Sequence, residues 1–365
     1  MHGIVLYVSL SFLGVSAEIN MDATAMRRIV CRLTMFASYW LGLVGLFYWL
    51  NRRAKRIVCF HSVLPDGLKM RGLACGLDNT EDEFRMIVRE VKRRFGISTD
   101  VFDPGTVTLS FDDGFANQYE VAARVLAEEG DVPALLFVAG DMVGCRSAEE
   151  AIVVEQLLSW VAYAPLECLA QLRDWPGGGD VDLSSRMSVW GGIVRPAFAL
   201  DVASMGRDTL LRLDAIYPLK KVYSSLPSEY LRLRMTGVSR EQIEELQRKG
   251  WVVGWHTKSH FPLKSLPVER QEMELRPPEY VTNVVMAYPY GDRQSVGEET
   301  MEIVRGMDYG CALSFDVGNG KVPDRCFLPR MFLSSNKYAL HFELSGLKFF
   351  FRHLRLLPVW TDGSN

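Results

Sequence analysis

Short apolar runs of strand length recur along the chain, and a polar motif follows each one directly. Ile57-Val58-Cys59-Phe60 leads into His61, and Val107-Thr108-Leu109-Ser110-Phe111 leads into Asp112-Asp113-Gly114. Trp251-Val252-Val253-Gly254-Trp255 precedes His256, and Val284-Val285-Met286-Ala287-Tyr288 precedes Pro289-Tyr290-Gly291. Cys311-Ala312-Leu313-Ser314-Phe315 precedes Asp316. Helical patterns separate many of these runs, so the chain reads as repeated β-α units. In a parallel β/α barrel the carboxyl ends of the strands meet on one face, which carries the active site. The shared placement of the motifs therefore predicts that residues far apart in sequence converge.

The motifs themselves carry metal chemistry. Asp112 and Asp113 stand where a strand ends and the chain turns toward a helix. One carboxylate can ligate a cation while its neighbour stays free to take a proton from water. His256-Thr257-Lys258-Ser259-His260 supplies two imidazoles, which with one carboxylate make a three-ligand site with an open position, as catalytic zinc requires. Alone, an Asp-Asp-Gly is most often a solvated turn, and a His-x-x-x-His is often one face of an ordinary helix. Their common position after apolar runs favours the functional reading of both.

Taken together, these residues resemble the polysaccharide deacetylases of carbohydrate esterase family four. That family carries Thr-Phe-Asp-Asp-Gly, His-Ser/Thr-x-x-His and Pro-Tyr/Phe-Gly motifs, matched here in order by Ser110 to Gly114, His256 to His260 and Pro289 to Gly291. The resemblance spans roughly residues 57–350, with a divergent middle. It implies an α/β fold, a distorted parallel (β/α) barrel with a helical insertion, and hydrolytic removal of acetyl from an N-acetylated amino sugar. It also implies a divalent metal, zinc foremost, held by Asp113, His256 and His260, with Asp112 as general base. The backbone N–H of Tyr290 would stabilise the tetrahedral oxyanion. Imidazole and carboxylate also accept cobalt or nickel, so the metal stays open.

The departing amine needs a proton. His61, in Phe60-His61-Ser62-Val63, resembles the early Tyr-His-x-Val segment of the branch that includes exported poly-N-acetylglucosamine deacetylases, which makes it the first choice as general acid. A strand-end histidine bonded to a backbone carbonyl is the alternative. His341, near an amphipathic C-terminal segment, is a competitor better suited to packing. The chain also departs from the family. Ser110 replaces a threonine, and Ala287 stands where many members have an arginine that steadies the catalytic aspartate. Arg330 offers a guanidinium fork from another strand end, although a surface salt bridge is the commoner fate of such a residue. The aspartate-tryptophan and late leucine-histidine motifs of the broader family find no convincing match.

Composition narrows the remaining classes. The chain has 365 residues, 48% of them hydrophobic, enough for a large core; its net charge of -3 gives no reason to expect nucleic acid as a partner. Seven cysteines without a Cys-x-x-Cys pair argue against a disulfide framework or a structural zinc cluster, and Cys59 and Cys311 read as ordinary buried residues.

Three segments organise the chain: 1–55, hydrophobic; 56–350, the deacetylase segment with a largely helical insertion at 142–235; and a tail at 351–365. Residues 3–17 are mostly apolar and end in Val15-Ser16-Ala17, like a secretory cleavage site, but no Lys or Arg precedes them, and Met26 is an equal candidate for the start. Leu33 to Leu50 is an uncharged stretch of eighteen residues between cationic flanks, barely long enough to span a bilayer, with Trp40, Tyr48 and Trp49 placed as interfacial anchors would be. A span, a monotopic helix on a membrane surface and a helix packed on the barrel all fit. The expected location is membrane-associated or exported, with the cytoplasm left open. In the insertion, Ala148 to Leu172 reads helical with a break at Pro165, followed by helical patterns at Thr209 to Leu213 and Ser228 to Arg234. Such an insertion forms either a lid over the site or a packing cap.

The expected substrate is an N-acetylated amino-sugar polymer or glycolipid. Other hydrolases on the same scaffold, a deformylase of a lipid-linked amino sugar or an amidase of a small cyclic amide, would differ in the acyl group released. A noncatalytic carbohydrate-binding protein would have no need of Asp112 beside a metal. An iron oxygenase with two His and one carboxylate would require oxygen.

Overall fold

The computed structural model describes residues 4–10, 15–21, 23–70, 78–281, 285–307, 309–315 and 324–354. Two compact units divide them, residues 55–332 in one and the residues up to 54 with 333–354 in the other.

The larger unit is built on β1 (Arg56–Phe60), β2 (Thr106–Phe111), β3 (Leu135–Val138), β4 (Val252–Trp255), β5 (Val285–Ala287), β6 (Cys311–Ser314) and β7 (Leu328–Pro329). These strands lie side by side in sequence order and pair in parallel. Just beyond β7 the chain returns to β1. The Cys59 N–H donates to the Met331 carbonyl and the Met331 N–H to the Ile57 carbonyl, each at 2.9 Å, which joins the two ends of the sheet. The result is a nearly closed seven-stranded parallel barrel, one strand short of the common eight. All five residues of β1 and all four of β3 are buried, as expected of strands covered on both faces. Ile57, Leu135, Phe137, Ala287, Leu313 and Leu328 pack into one cluster. Side chains from five strands meet this way only inside the ring.

Local signals place the strands. Ser239 caps the helix Arg240–Arg248 by accepting from the Gln242 N–H, while the Gln242 side chain accepts from the Ser239 N–H. That helix returns the chain to β4. Between β3 and β4 the insertion is helical, with Val153–Tyr163 and Leu166–Ala170 broken at Pro165 as the sequence predicts, then Arg207–Ile216 and Ser228–Arg234. A buried charge cluster ties it to the barrel. Arg234 Nε lies 3.2 Å from Asp78 and its Nη1 2.8 Å from Glu155, and its guanidinium sits 4.1 Å above the Phe115 ring.

In the smaller unit, helix Ala23–Trp40 is followed by helix Leu43–Leu50, and Gly42 between them takes a φ of +80°, which a side chain would resist. The segments Ile29–Trp40 and Leu43–Leu50 are bent by 74°. The uncharged stretch Leu33–Leu50 is therefore not one continuous helix. Among the described residues no single helix is long and apolar enough to cross a membrane. Val44, Phe342 and Leu347 form a small core with the helices Lys337–Leu344 and Leu347–His353. Here His341 is fully buried and its Nδ1 lies 3.0 Å from the Tyr48 hydroxyl, the packing role that its sequence context suggested. Residues 351–353, read as the start of a tail, continue a helix, and 355–365 lie outside the described residues. Of the apolar segment 3–17, the described parts are the antiparallel strands Ile4–Leu10 and Val15–Met21. Val284 and Asp316 also lie outside the described residues.

Gly254 lets β4 and β5 approach closely, because a Cβ there would press on the Val285 carbonyl and lie 2.6 Å from the Phe137 ring. Gly254→Ala should lower stability by about 1–3 kcal/mol, the usual cost of overpacking. Urea denaturation reads this directly, and an unchanged midpoint would show that the strands have room to separate.

Candidate metal centre

Every motif residue singled out from the sequence follows a barrel strand. His61 follows β1, Asp112 and Asp113 follow β2, His256 follows β4, Tyr290 lies three residues beyond β5, and Arg330 follows β7. Their carboxyl-end location is the active-site face of a parallel barrel. The backbone is unusual there. Six described non-glycine residues have positive φ, and four of them are Asp113, Thr257, His260 and Tyr290. Such conformations cost of the order of 1 kcal/mol or more each and persist only where surrounding structure enforces them. Asp113 is enforced by the Ala139 N–H, which donates to its carbonyl at 3.1 Å, and His260 by its own N–H on the Thr257 hydroxyl at 3.2 Å.

The three expected metal donors come together. Asp113 Oδ1 is 3.6 Å from His256 Nε2 and 3.3 Å from His260 Nε2, and one donor atom from each residue lies within 4.8 Å of the other two. All three residues are buried. His256 Nδ1 is 2.7 Å from the Ala287 carbonyl, which has only lone pairs to offer, so Nδ1 carries the proton and Nε2 presents its lone pair toward Asp113. Asp113 Oδ1 is buried without a hydrogen-bond partner. A buried carboxylate oxygen orphaned between two imidazole nitrogens is the fit expected of a cation site, and nitrogen with oxygen donors suits zinc. Burial first, then the carboxylates of Glu155 and Asp112, push the Asp113 carboxyl well above the usual range. A bound cation would relieve that penalty.

Asp112 has the opposite environment. Burial pushes its carboxyl up, but the Arg330 guanidinium, then His256 and His61, outweigh it and hold Asp112 far below the usual carboxylate range. Arg330 is buried and grips both oxygens, Nη1 to Oδ1 at 2.6 Å and Nη2 to Oδ2 at 2.7 Å. The surface salt bridge weighed for Arg330 is thus replaced by an interior fork, flanked by the Phe315 ring at 4.5 Å. The position occupied by arginine in many members of the resembled family is Ala287 here, and a different strand end supplies the guanidinium.

His61 Nε2 lies 3.9 Å from Asp112 Oδ2. Burial lowers its pKa to about 4, so it is neutral near pH 7. Cys59 is more than a filler, since its thiol donates to Asp112 Oδ2 at 3.4 Å and lies 3.8 Å from His61 Nδ1. Burial raises the Cys59 pKa, so it stays a thiol. Cys59, His61 and Asp112 are close enough to hold a second cation, but Asp112 already has a full positive charge on its two oxygens. This group is better understood as the hydrogen-bonded setting of one carboxylate.

Tyr290 takes φ +61°, and its N–H makes no hydrogen bond among the described residues. Its ring stands 4.9 Å from that of His260. Sequence reading missed four supporting residues. Gln118 donates to the main-chain carbonyls of both His61 and Asp112, tying two strand ends together. From the insertion, Arg195 lies 5.1 Å over the Tyr290 ring while pairing with Asp292 at 3.0 Å, and Glu155 with Arg234 forms the buried cluster beside Phe115. Glu155 alone had a visible signal, a carboxylate in the apolar run Val153-Val154-Glu155-Gln156-Leu157-Leu158.

No protein-family model and no curated protein matches this chain. Solved structures similar to it include the Streptococcus pyogenes deacetylase PplD in complex with acetate, at 13% identity and a TM-score of 0.45, covering 80% of this chain and 96% of that one. IcaB from Ammonifex degensii is similar at 16% identity and a TM-score of 0.44, over 80% and 97% of the two chains. A polysaccharide deacetylase from Bacillus cereus is similar at 14% identity and a TM-score of 0.43, over 80% and 68%.

Two outcomes follow from the charge arrangement. Arg330→Met should strand the Asp112 charge in the interior and cost about 3–5 kcal/mol of stability. A loss below about 1 kcal/mol in urea denaturation would show that Asp112 finds another partner. Because the folded-state pKa of His61, about 4, lies below its ordinary 6.5, the unfolded chain binds more protons between those values. Its contribution is complete above about pH 6.5 and is lost as the pH falls toward 4. His61→Gln should flatten part of that decline, and an identical pH profile in the variant would remove His61 as its source.

Proposed function

We propose that the chain is a metal-dependent hydrolase that removes N-acetyl groups from an amino-sugar polysaccharide or glycoconjugate. The observation that carries this reading is the division of labour between adjacent carboxylates: Asp113 Oδ1 is orphaned beside the Nε2 atoms of two imidazoles, while Asp112 is kept ionised by Arg330. The order of the three motifs adds the amide-deacetylase character. A divalent cation held by Asp113, His256 and His260 would polarise an amide carbonyl and make water acidic enough to attack it.

The chain's own residues handle the protons. Asp112, permanently ionised near neutrality, accepts one from the attacking water. Arg330 makes Asp112 a weak base, so that proton passes readily to the more basic His61 Nε2, 3.9 Å from Oδ2. His61 thus starts neutral, becomes the acid within the cycle and protonates the departing amine. The Tyr290 N–H, without an acceptor among the described residues, serves the oxyanion, a role worth about 3 kcal/mol in comparable sites.

Acetate release from N-acetylglucosamine oligomers, by chelated protein and by the same protein after zinc is restored, tests the reading. Release is expected only with metal. Formate from an N-formylated amino sugar, with no acetate from its acetyl counterpart, would replace the reading with deformylation. Asp112→Asn should keep its metal and lose about 10²–10⁴-fold in turnover. His256→Ala should lose metal on dialysis, and retained metal would overturn the ligand set.

A further inference from the structure

The helical unit turns apolar side chains outward. Eleven of the seventeen large apolar residues that stand exposed among the described residues belong to it. In helix Ala23–Trp40 the exposed ones include Ile29, Leu33, Phe36 and Trp40, a spacing that makes one helical stripe, while Cys31 and Ser38 are buried. Trp40 is 66% exposed and Leu41 at the bend 76%. In the next helix Val44 faces the core, whereas Leu46, Trp49 and Leu50 face out. Phe350 and Leu354 extend the exposed set at the other end of the chain. The usual pattern of a surface helix, polar outward, is inverted, and exposed apolar surface on this scale marks an interaction face.

Charge identifies the occupant. Residues 23–54 contain five arginines and no Asp or Glu, in a chain whose net charge is -3. Residues 333–354 add Lys337, Lys348 and Arg352 against one acid, Glu343. Arg32, Arg52 and Arg53 are exposed, and the Arg52 guanidinium lies 5.1 Å from the ring of exposed Trp49. Outward aliphatic side chains, interfacial tryptophans and an excess of cations over acids together fit a bilayer with anionic headgroups. The dimensions exclude a crossing by either segment. Ile29–Trp40 rises about 18 Å and Leu43–Leu50 about 12 Å, against a hydrocarbon core of about 30 Å, and the two are bent by 74°.

We propose that this unit, assembled from both ends of the chain, docks on an anionic lipid bilayer as a monotopic platform, with its two bent helices lying in the interface rather than spanning it. The proposal is independent of the reaction assigned to the barrel.

Flotation of the full metal-loaded chain with vesicles tests it. The chain should float with phosphatidylcholine vesicles containing a quarter phosphatidylglycerol, and should do so at least tenfold less with phosphatidylcholine alone. Leu33→Glu with Trp40→Glu should abolish flotation while metal content and the barrel's unfolding transition stay unchanged. A chain that stays at the bottom of the gradient with both vesicle types would overturn the proposal. So would a concentration-dependent dimer that the same double variant dissociates, with no vesicle binding, since the face would then belong to a second copy. Resistance to alkaline carbonate extraction would overturn the monotopic arrangement in favour of a span.

Discussion

The buried fork of Arg330 on Asp112 is the interaction on which the larger unit depends, because it sits where the barrel closes. Met331, the next residue, makes the two backbone hydrogen bonds that join the last strand region to β1. The charge pair and the closing bonds are thus made by consecutive residues. A pair taken out of water is held together only by good geometry, and two parallel N–H···O bonds at 2.6 and 2.7 Å supply it. The same contact fixes the orientation of the carboxylate at the site.

Neighbouring residues of one dipeptide thereby acquire opposite properties. Asp112 is ionised by a guanidinium that never loses its charge, whereas Asp113, beside it, is buried near the carboxylates of Glu155 and Asp112 and disfavours its own charge. Paired titratable groups driven apart by their surroundings are a recurrent basis for assigning roles in catalysis. The strand turn makes the separation possible. Asp113 at φ +79° and Gly114 at φ +84° swing consecutive side chains to different partners, and the glycine tolerates the second left-handed residue without strain.

The barrel strands were legible because each buried run is short, apolar and punctuated at once by a polar motif, and the convergence of Asp113, His256 and His260 was legible because each motif follows a strand of one barrel. The Arg330 fork was legible as a candidate for steadying the catalytic aspartate but ranked below a surface salt bridge, since Leu328-Pro329-Arg330-Met331 does not show whether the guanidinium is buried; ring closure brings it to Asp112. His61 was identified by position, but its protonation follows from burial, which a sequence does not display. The uncharged stretch Leu33–Leu50 showed length and composition, while its break rests on one conformation at Gly42. The insertion was legible as helices, but the reach of Arg195, Glu155 and Arg234 toward the site depends on tertiary packing.

The closing contact has a kinetic meaning. β1 and Met331 are separated by nearly the whole larger unit, and the insertion intervenes between Asp113 and the two histidines. Contacts so remote in sequence pay a large loop-closure entropy before they return any energy, which makes them late events in folding. Asp113 thus meets His256 and His260 only by closing a loop that holds the largely helical insertion. A cation bound by Asp113, His256 and His260, as proposed, would therefore favour the closed ring over isolated donors.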